Sequence, residues 1–366
     1  MNQHWRWAIG LAGLAALGCG EPRDRRAETV PDEPLPIAAD TVVLPWSAVP
    51  EAASLGGRRW VVVGADYNAA VIVDFSTKTA SPVGGKNNPE IANPFGVFAI
   101  GDTAFIADWG KRRISIWSGD KLVGSIPGPD QLRGVLPRAR DAAGNLYFEI
   151  PPIAGPDGSG LREPPVIVRA NPAMTKFDTV TRLSPLDVAE TNDQGRKRYE
   201  RLVFGGQDWW GVRPDGRLWV ARVRIGLVTT IDGGSEKRGE RLPDPVLEVS
   251  RNDRILHINS FPEDLRGMAE KLPFAAYWPN FERAFGVAGG SVWIRKAKTA
   301  SDSIRRYQVV DTTRTLTRVF TTVGNGVIVA ASPEAALLIE RFKEGLRVME
   351  LRLPAAPVGA VPTRVR

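Results

Sequence analysis

Histidine and cysteine are scarce in this chain, which has two histidines and one cysteine among 366 residues. They are His4, His257 and Cys19. A zinc site built from three histidines therefore cannot form, and no intramolecular disulfide can stabilise the fold. A catalytic triad or a Cys–His pair would have to use one of the two histidines to move its proton. The composition thus excludes most histidine-dependent chemistry.

Long hydrophobic runs are also missing, except close to the start. In residues 1–18 a single basic residue, Arg6, precedes about a dozen uncharged apolar and small residues. This order is typical of a secretory signal peptide. The run is shorter than the roughly 20 residues that a bilayer-spanning helix needs. The sequence therefore predicts export of the chain and no membrane-spanning helix.

The only cysteine directly follows this run. The segment Ala16-Leu17-Gly18-Cys19 resembles a bacterial lipobox, although Ala16 stands where the strongest pattern has leucine. The resemblance implies that Cys19 is lipidated and that the chain is a lipoprotein anchored in the cell envelope. Gly20 implies sorting to the outer membrane, facing the periplasm, in a host with two membranes. An ordinary signal-peptidase cut after Gly18 is the alternative.

Charge is spread evenly along the rest of the chain. Residues 19–40 comprise Cys19 and a charged, proline-rich stretch, which predicts an extended tether. The formal net charge of +7 forms no concentrated basic stripe of the kind that nucleic-acid binding requires. The expected partners are membrane lipid, through acylation of Cys19, and an unknown envelope protein or small ligand.

A repeat of about 42 residues organises the body of the chain. Val63, Phe105 and Tyr147 lie in predicted strands 42 residues apart, and Trp219 and Trp293 follow after longer steps. Repeats of this length are typical of β-propellers. With insertions near residues 184–206 and 250–280 set aside, residues 41–354 hold six repeats, and residues 355–366 form a tail. Seven blades is the alternative.

The last repeat supplies only three predicted strands, at residues 326–330, 336–340 and 346–351. A fourth is available at Thr41–Trp46, just after the tether. Pairing the two chain ends would remove the exposed sheet edges. We therefore predict an all-β, six-bladed propeller closed by its N- and C-terminal strands.

One predicted blade resembles an NHL repeat. The matching segments are PFGVFAI at 94–100, FIAD at 105–108 and RISIW at 113–117. Where that repeat usually has Asn-His before Arg-Ile, this chain has Lys111-Arg112. The resemblance covers one blade and implies the fold, but it implies no activity.

The two insertions differ in character. Residues 184–206 are polar, which predicts a solvated loop. In the second insertion, Ser260 and Glu263 have the spacing of a capping box, and Pro273 would end the helix. Between them the apolar residues at helical spacing are Leu265, Met268, Ala269 and Leu272. The sequence predicts a short helix between blades 4 and 5.

Aromatic and basic residues are the candidate ligand- or partner-binding residues, because such side chains anchor recognition surfaces. They are Trp109, Lys111, Arg112, Trp210, Tyr277 and Trp278. Because adjacent strand residues point to opposite faces, we expect one of Trp209 and Trp210 in the core and the other exposed. His257 lies in the strand-like run Ile255–Ile258 and is expected to be an ordinary hydrogen-bonded histidine. The leading hypothesis is a binding module without catalysis or cofactor.

A metal-assisted hydrolase is the alternative. The predicted architecture resembles that of calcium-dependent lactonases. This resemblance implies that side-chain oxygen atoms at the channel mouth bind calcium. The corresponding candidates here are Asp66, Asn68, Asp108 and Asn145. Asp66 and Asp108 occupy equivalent turns, which favours a structural role for their carboxylates over metal binding.

Overall fold

The computed structural model describes residues 30–36, 40–48, 50–64, 68–86, 88–152, 164–193 and 195–355. The predicted signal peptide, Cys19, most of the predicted tether, Asp66 and the tail beyond residue 355 lie outside them. In the described part of the chain, no helix has the length and apolar character needed to span a bilayer.

Strands dominate the first half of the described chain. In chain order they are β1 (Asp32–Pro34), β2 (Thr41–Leu44), β3 (Glu51–Gly56), β4 (Arg59–Gly64), β5 (Ala69–Asp74), β6 (Thr79–Pro82), β7 (Pro94–Ile100), β8 (Thr103–Asp108), β9 (Arg113–Ser118), β10 (Lys121–Pro127), β11 (Ala139–Arg140), β12 (Leu146–Ile150), β13 (Val166–Ala170) and β14 (Phe177–Arg182). A 3₁₀ turn at Asp130–Leu132 precedes β11.

The second half contains the remaining strands and both α-helices of the described residues. They are β15 (Val188–Asp193), β16 (Arg196–Arg201), β17 (Trp209–Val212), β18 (Leu218–Arg222), β19 (Leu227–Asp232), β20 (Ser235–Arg241), α1 (Arg251–Asn259), α2 (Arg266–Ala269), β21 (Arg283–Gly286), β22 (Val292–Arg295), β23 (Ile304–Val310), β24 (Leu316–Val323), β25 (Val327–Ala331), β26 (Ala335–Phe342) and β27 (Gly345–Arg352). A 3₁₀ turn at Glu263–Leu265 leads into α2.

Six antiparallel sheets of four strands form the blades of a propeller, as predicted. Blade 1 is β3–β6, blade 2 is β7–β10, blade 3 is β11–β14, blade 4 is β17–β20, blade 5 is β21–β24, and blade 6 is β25–β27 with β2. Val63, Phe105, Tyr147, Trp219 and Trp293 all lie in the second strand of their blades. The 42-residue repeat therefore corresponds to one blade.

Hydrophobic side chains fill the space between successive blades around the whole ring. In β4, Trp60 and Val62 face blade 6, whereas Val61 and Val63 face blade 2. Similar clusters join blades 3 and 4, 4 and 5, and 5 and 6. Because both faces of a blade are covered, its second strand is largely apolar instead of alternating with polar residues.

The two ends of the propeller chain pair as the sequence predicted. β2 lies antiparallel to β27, with Val42 opposite Val348 and Leu44 opposite Leu346. Val42 and Leu44 are buried in the cluster between blades 6 and 1, and Val43 between them is exposed. The alternation of β2 therefore fixes its register, since a slip of one residue would bury the wrong side chains.

A short part of the predicted tether is built into the propeller. β1 pairs in parallel with β24 and adds a fifth strand to the edge of blade 5. Arg318 Nε and Nη2 donate to the two carboxylate oxygens of Glu33 at 3.0 and 2.6 Å, and Arg306 Nε donates to Asp32 at 3.0 Å. The sequence predicted an extended segment here but not this pairing.

Both insertions differ from their predicted local structure. The expected loop at 184–206 contains a hairpin, because β15 and β16 pair from Val188–Arg201 to Asp193–Arg196. A helical insertion does lie between blades 4 and 5, but its longer helix is α1, so Ile255–Ile258 is helical and the strand expectation was wrong. Ser260 ends α1 instead of beginning a helix.

The predicted apolar stripe of the insertion is not a buried face. Leu265 and Met268 are exposed, and Ala269 is its one fully buried member among the described residues. Apolar residues do recur at helical spacing, but α2 is only four residues long, and Ala269 is its buried residue.

Candidate functional site

Strand direction places both insertions at the same end of the propeller. Because neighbouring strands are antiparallel, the turn between second and third strands lies at the same end as the connection to the next blade. The connections 183–208 and 242–282, which flank blade 4, therefore lie at that end, together with the turn 109–112 of blade 2. We call this end the insertion face.

A buried carboxylate fixes the base of the first insertion. Asp208 accepts hydrogen bonds from the backbone amides of Ser184 at 2.7 Å and Val223 at 2.9 Å. Arg222 Nη1 also donates to it at 3.1 Å. The side chain of Asp208, the last residue of the connection 183–208, thus holds the start of that connection against blade 4.

A second buried carboxylate, Asp253, organises the helical insertion. It forms a capping box with Ser250 at the start of α1, and it accepts the Ala300 amide at 2.7 Å and Trp278 Nε1 at 3.3 Å. Burial alone would raise the pKa of Asp253, but the hydrogen bonds from Ser250, Ala300 and Trp278 hold that pKa below its ordinary value. One charged carboxylate therefore joins α1, the segment after it and a loop of blade 5.

The two insertions meet in an aromatic cluster. The Phe204 ring lies 4.2 Å from that of Trp278 and 5.3 Å from that of His257 between ring centroids. His257 also makes edge contacts with Phe261 and Phe274. Burial among these rings lowers the pKa of His257. His257 thus packs as an aromatic side chain at neutral pH.

Backbone pairing reinforces this contact. Val203 and Phe274 form a parallel bridge, and Ala275 donates its amide to the Val203 carbonyl at 2.9 Å. Phe204 has a φ of +62°, a left-handed conformation that costs a non-glycine residue about 1 kcal/mol or more. The turn that holds Phe204 is closed by the Gly205 amide, which donates to the Leu202 carbonyl at 2.9 Å.

A groove of about 400 Å³ opens beside this cluster. Its walls come from both insertions and from the innermost strand of blade 4, and include Arg201, Phe204, Trp209, Trp278, Phe281 and Glu282. Trp209 Nε1 donates to the Glu282 carbonyl at 3.1 Å, which fixes the indole between blades 4 and 5. The groove combines aromatic walls with charged groups, as small-molecule sites usually do.

Three of the sequence-predicted binding residues share one exposed turn. Trp109 is 51% exposed and stacks on Phe95 at 4.8 Å, and Lys111 and Arg112 are exposed beside it. This turn belongs to blade 2, whereas the groove lies next to blade 4. The structure thus places these three residues on the insertion face but outside the groove.

The other predicted residues are divided between the groove and its surroundings. Trp278 lines the groove, and Tyr277 next to it is exposed. Trp210 Nε1 donates to Glu149 of blade 3 at 2.7 Å. Trp209 and Trp210 are both half-buried, so the expectation of one core and one exposed ring was wrong. The reason is that blade 4 packs against a neighbour on each face.

The three proposed calcium ligands within the described residues are not gathered into one site. Asn145 lies in the turn between the first two strands of blade 3, at the end opposite Asn68 and Asp108. Asp108 accepts the amides of residues 92, 93 and 111 at 2.7–3.0 Å. Asn68 and Arg112 both have left-handed φ values directly before the third strand of their blades, which is a turn role. The described residues contain no group of three or more His, Cys, Asp or Glu side chains able to hold a metal ion.

Comparisons with known proteins find only low similarity. No protein-family model matches the chain, and no curated protein matches it. Among solved structures, it is similar to a virginiamycin B lyase from Staphylococcus aureus (10% identity, 86% of this chain and 99% of that chain covered, TM-score 0.44). It is also similar to a putative gluconolactonase (11% identity, 87% of this chain and 94% of that chain covered, TM-score 0.44). A third similar structure is a calcium-binding protein, regucalcin, from Agrobacterium tumefaciens (9% identity, 87% of this chain and 97% of that chain covered, TM-score 0.41). These likenesses assign no activity to this chain.

Proposed function

We propose that this protein is a lipoprotein of the bacterial cell envelope whose propeller binds a small ligand or a partner protein on the insertion face, without catalysis. The observation that carries the binding role is the groove between the two insertions. Aromatic and arginine side chains, which dominate recognition surfaces, line its walls. Asp208 and Asp253 fix both insertions, so little ordering cost remains for binding.

The direction of β1 agrees with an anchor at the N-terminus. Because β1 is parallel to β24, its first residue, Asp32, lies nearer the end opposite the insertion face than Pro34 does. In this proposal the insertion face points away from the outer membrane into the periplasm.

Binding by the insertion face is tested with the purified mature protein as bait in envelope extract. We expect the Trp278→Ala variant to recover the captured species about tenfold less efficiently, because truncating a central aromatic anchor costs at least that much. The Tyr277→Ala variant tests the exposed rim without disturbing packing. Val123→Ala, an exposed residue of blade 2, is the matched control. Equal recovery by all variants would contradict the role of this face.

The anchor and the alternative activity need separate measurements. Incorporation of labelled palmitate should disappear in Cys19→Ser, and incorporation that persists in this variant would remove the anchor. Stoichiometric calcium in the purified protein, together with a calcium-dependent rise in thermal stability, would favour the metal-assisted hydrolase instead.

A further inference from the structure

Three arginines lie side by side on one face of blade 5. Arg283 in β21 is directly opposite Arg295 in β22, and Arg295 is opposite Tyr307 in β23. Arg305 is two residues before Tyr307 and therefore points to the same face. All three lie where their strands reach the insertion face. We call Arg283, Arg295 and Arg305 the arginine row.

This arrangement is unfavourable for the isolated protein. Like charges directly opposite each other destabilise a sheet. The side chains of Arg283, Arg295 and Arg305 are only 19%, 18% and 13% exposed, so solvent screens their repulsion weakly. Burial lowers the pKa of Arg295, which shows the cost of placing its charge there.

The neighbouring carboxylates do not saturate the row. Arg305 Nη1 donates to Glu282 Oε2 at 3.1 Å, and Arg295 Nε lies 3.1 Å from the same oxygen without hydrogen-bond geometry. Arg283 Nη2 donates to Glu51 of blade 1. Three guanidinium groups thus share two carboxylates in the described part of the chain, and the buried Nε atoms of all three lack a hydrogen-bond partner.

The row lies on the face of blade 5 that packs toward blade 6, and only its innermost member, Arg283, approaches the groove. The Arg283 guanidinium lies 5.2 Å from the centroid of the Trp209 ring, and Trp209 is a wall of the groove. Glu282, which contacts Arg295 and Arg305, is another wall residue. A molecule seated on Trp209 could therefore extend an anionic group around the inner edge of blade 5 to Arg283, the end of the row nearest the groove.

We propose that the arginine row is an anion-binding subsite that recognises a carboxylate or phosphate group of the molecule bound in the groove. Guanidinium groups form charge-assisted, often bidentate, hydrogen bonds with both kinds of anion. The ligand would combine this anion with a planar or apolar part that rests on Trp209. The inference rests on the proposed binding function of the groove and specifies the chemistry of its ligand.

Small aromatic probes test the subsite directly. Phenyl phosphate and benzoate each join a ring to an anion, and benzamide has nearly the same shape as benzoate without its charge. We expect at least one anion to bind the mature protein, measured by tryptophan fluorescence titration, at least about tenfold more tightly than benzamide. The tighter anion shows whether phosphate or carboxylate is preferred.

Variants with opposite expected effects separate recognition from a structural role. Arg283→Gln should weaken anion binding about tenfold or more, because it removes the charged donor nearest the groove. Glu51→Gln should strengthen it severalfold, because Arg283 then loses its competing carboxylate. Arg306→Gln is the matched control, since Arg306 belongs to β23 of the same blade but points to the opposite face and contacts Asp32. Circular dichroism confirms that each variant is folded.

The outcomes distinguish the subsite from the groove itself. Anion affinity that is equal in the wild type, Arg283→Gln and Glu51→Gln would overturn the subsite. Anions that bind no better than benzamide would overturn it as well, while loss of partner capture by Trp278→Ala would still support the groove. If Trp278→Ala also leaves capture unchanged, the proposed binding function fails together with the subsite.

Discussion

Closure of the propeller ring can be tested at Glu350, whose side chain is 3% exposed in β27. Arg58 Nε donates to Glu350 Oε2 at 2.6 Å, and Trp60 Nε1 donates to Glu350 Oε1 at 3.1 Å. Arg58 also donates to Asp40, just before β2, at 2.7 Å. Glu350 thus connects the last strand of the chain in blade 6 to blade 1 and to the segment that completes the ring.

We predict that Glu350→Ala lowers the free energy of unfolding by about 3 kcal/mol. Removing one partner of a buried ion pair costs about 3–5 kcal/mol. The lower end applies because Arg58 is one-third exposed and retains Asp40. Glu350→Gln should cost only about 1 kcal/mol, since its carbonyl oxygen can still accept from Trp60.

Urea unfolding followed by tryptophan fluorescence and circular dichroism measures both changes. Glu340→Ala is the matched control, because Glu340 belongs to the same blade but its ion pair with Arg347 is long, at 3.6 Å, and partly exposed. Such pairs contribute at most about 1 kcal/mol. If Glu350→Ala is no more destabilising than Glu340→Ala, the buried network does not hold the ring closed.

Two further predictions concern aspartates. Hydrogen bonds from Arg58 and Lys78 lower the pKa of Asp40 to about 2, below its unfolded value of 3.8. The stability that the charged Asp40 contributes is therefore present above the unfolded pKa and is lost as the pH falls toward 2. The urea midpoint of Asp40→Asn should consequently fall less steeply than that of the wild type between about pH 4 and 2. Parallel curves would contradict the linkage. Asp108→Ala removes the acceptor of three backbone amides and should lower the free energy of unfolding in urea by at least about 3 kcal/mol. Asp102 is exposed, so Asp102→Ala should change that free energy little. Similar values for both variants would refute the turn role of Asp108.

The blade architecture could be predicted because its signals are local and repeated. Every blade needs an apolar second strand, so residues such as Phe105 and Tyr147 recur at a constant spacing. The register of β2 was also accessible, since its alternation leaves one way to bury Val42 and Leu44 together. Repetition and period-two alternation thus carry most of the information on the fold.

Other elements gave weaker or misleading signals. β1 is a three-residue polar strand that pairs with β24, nearly 300 residues later in the sequence, and Glu33 of β1 forms an ion pair with Arg318 of β24. The apolar run Ile255–Ile258 is too short to distinguish a strand from a helix by periodicity. The decisive signal was the capping box formed by Ser250 and Asp253 a few residues earlier.

The candidate site depends on relationships that composition does not carry. Trp278 was predicted as a binding residue, and Trp209 was noted only as one of two adjacent tryptophans, whereas Phe204, which also lines the groove, had no distinguishing sequence pattern. The arginine row requires the registers of three strands at once. Such information becomes available only when the sheet is assembled.

The position of the groove follows from how a propeller tolerates insertions. Both faces of each blade are buried against neighbours, so extra chain can be accommodated only in connections outside the sheets. The two long connections flank blade 4 and emerge at the same end, where the aromatic cluster joins them across that blade. Their contact creates a concave surface directly above the inner strand that carries Trp209. In the proposed site the blades thus supply Trp209 and Arg283, and the insertions supply most of the walls, so substitutions in the insertions would leave the blade packing intact.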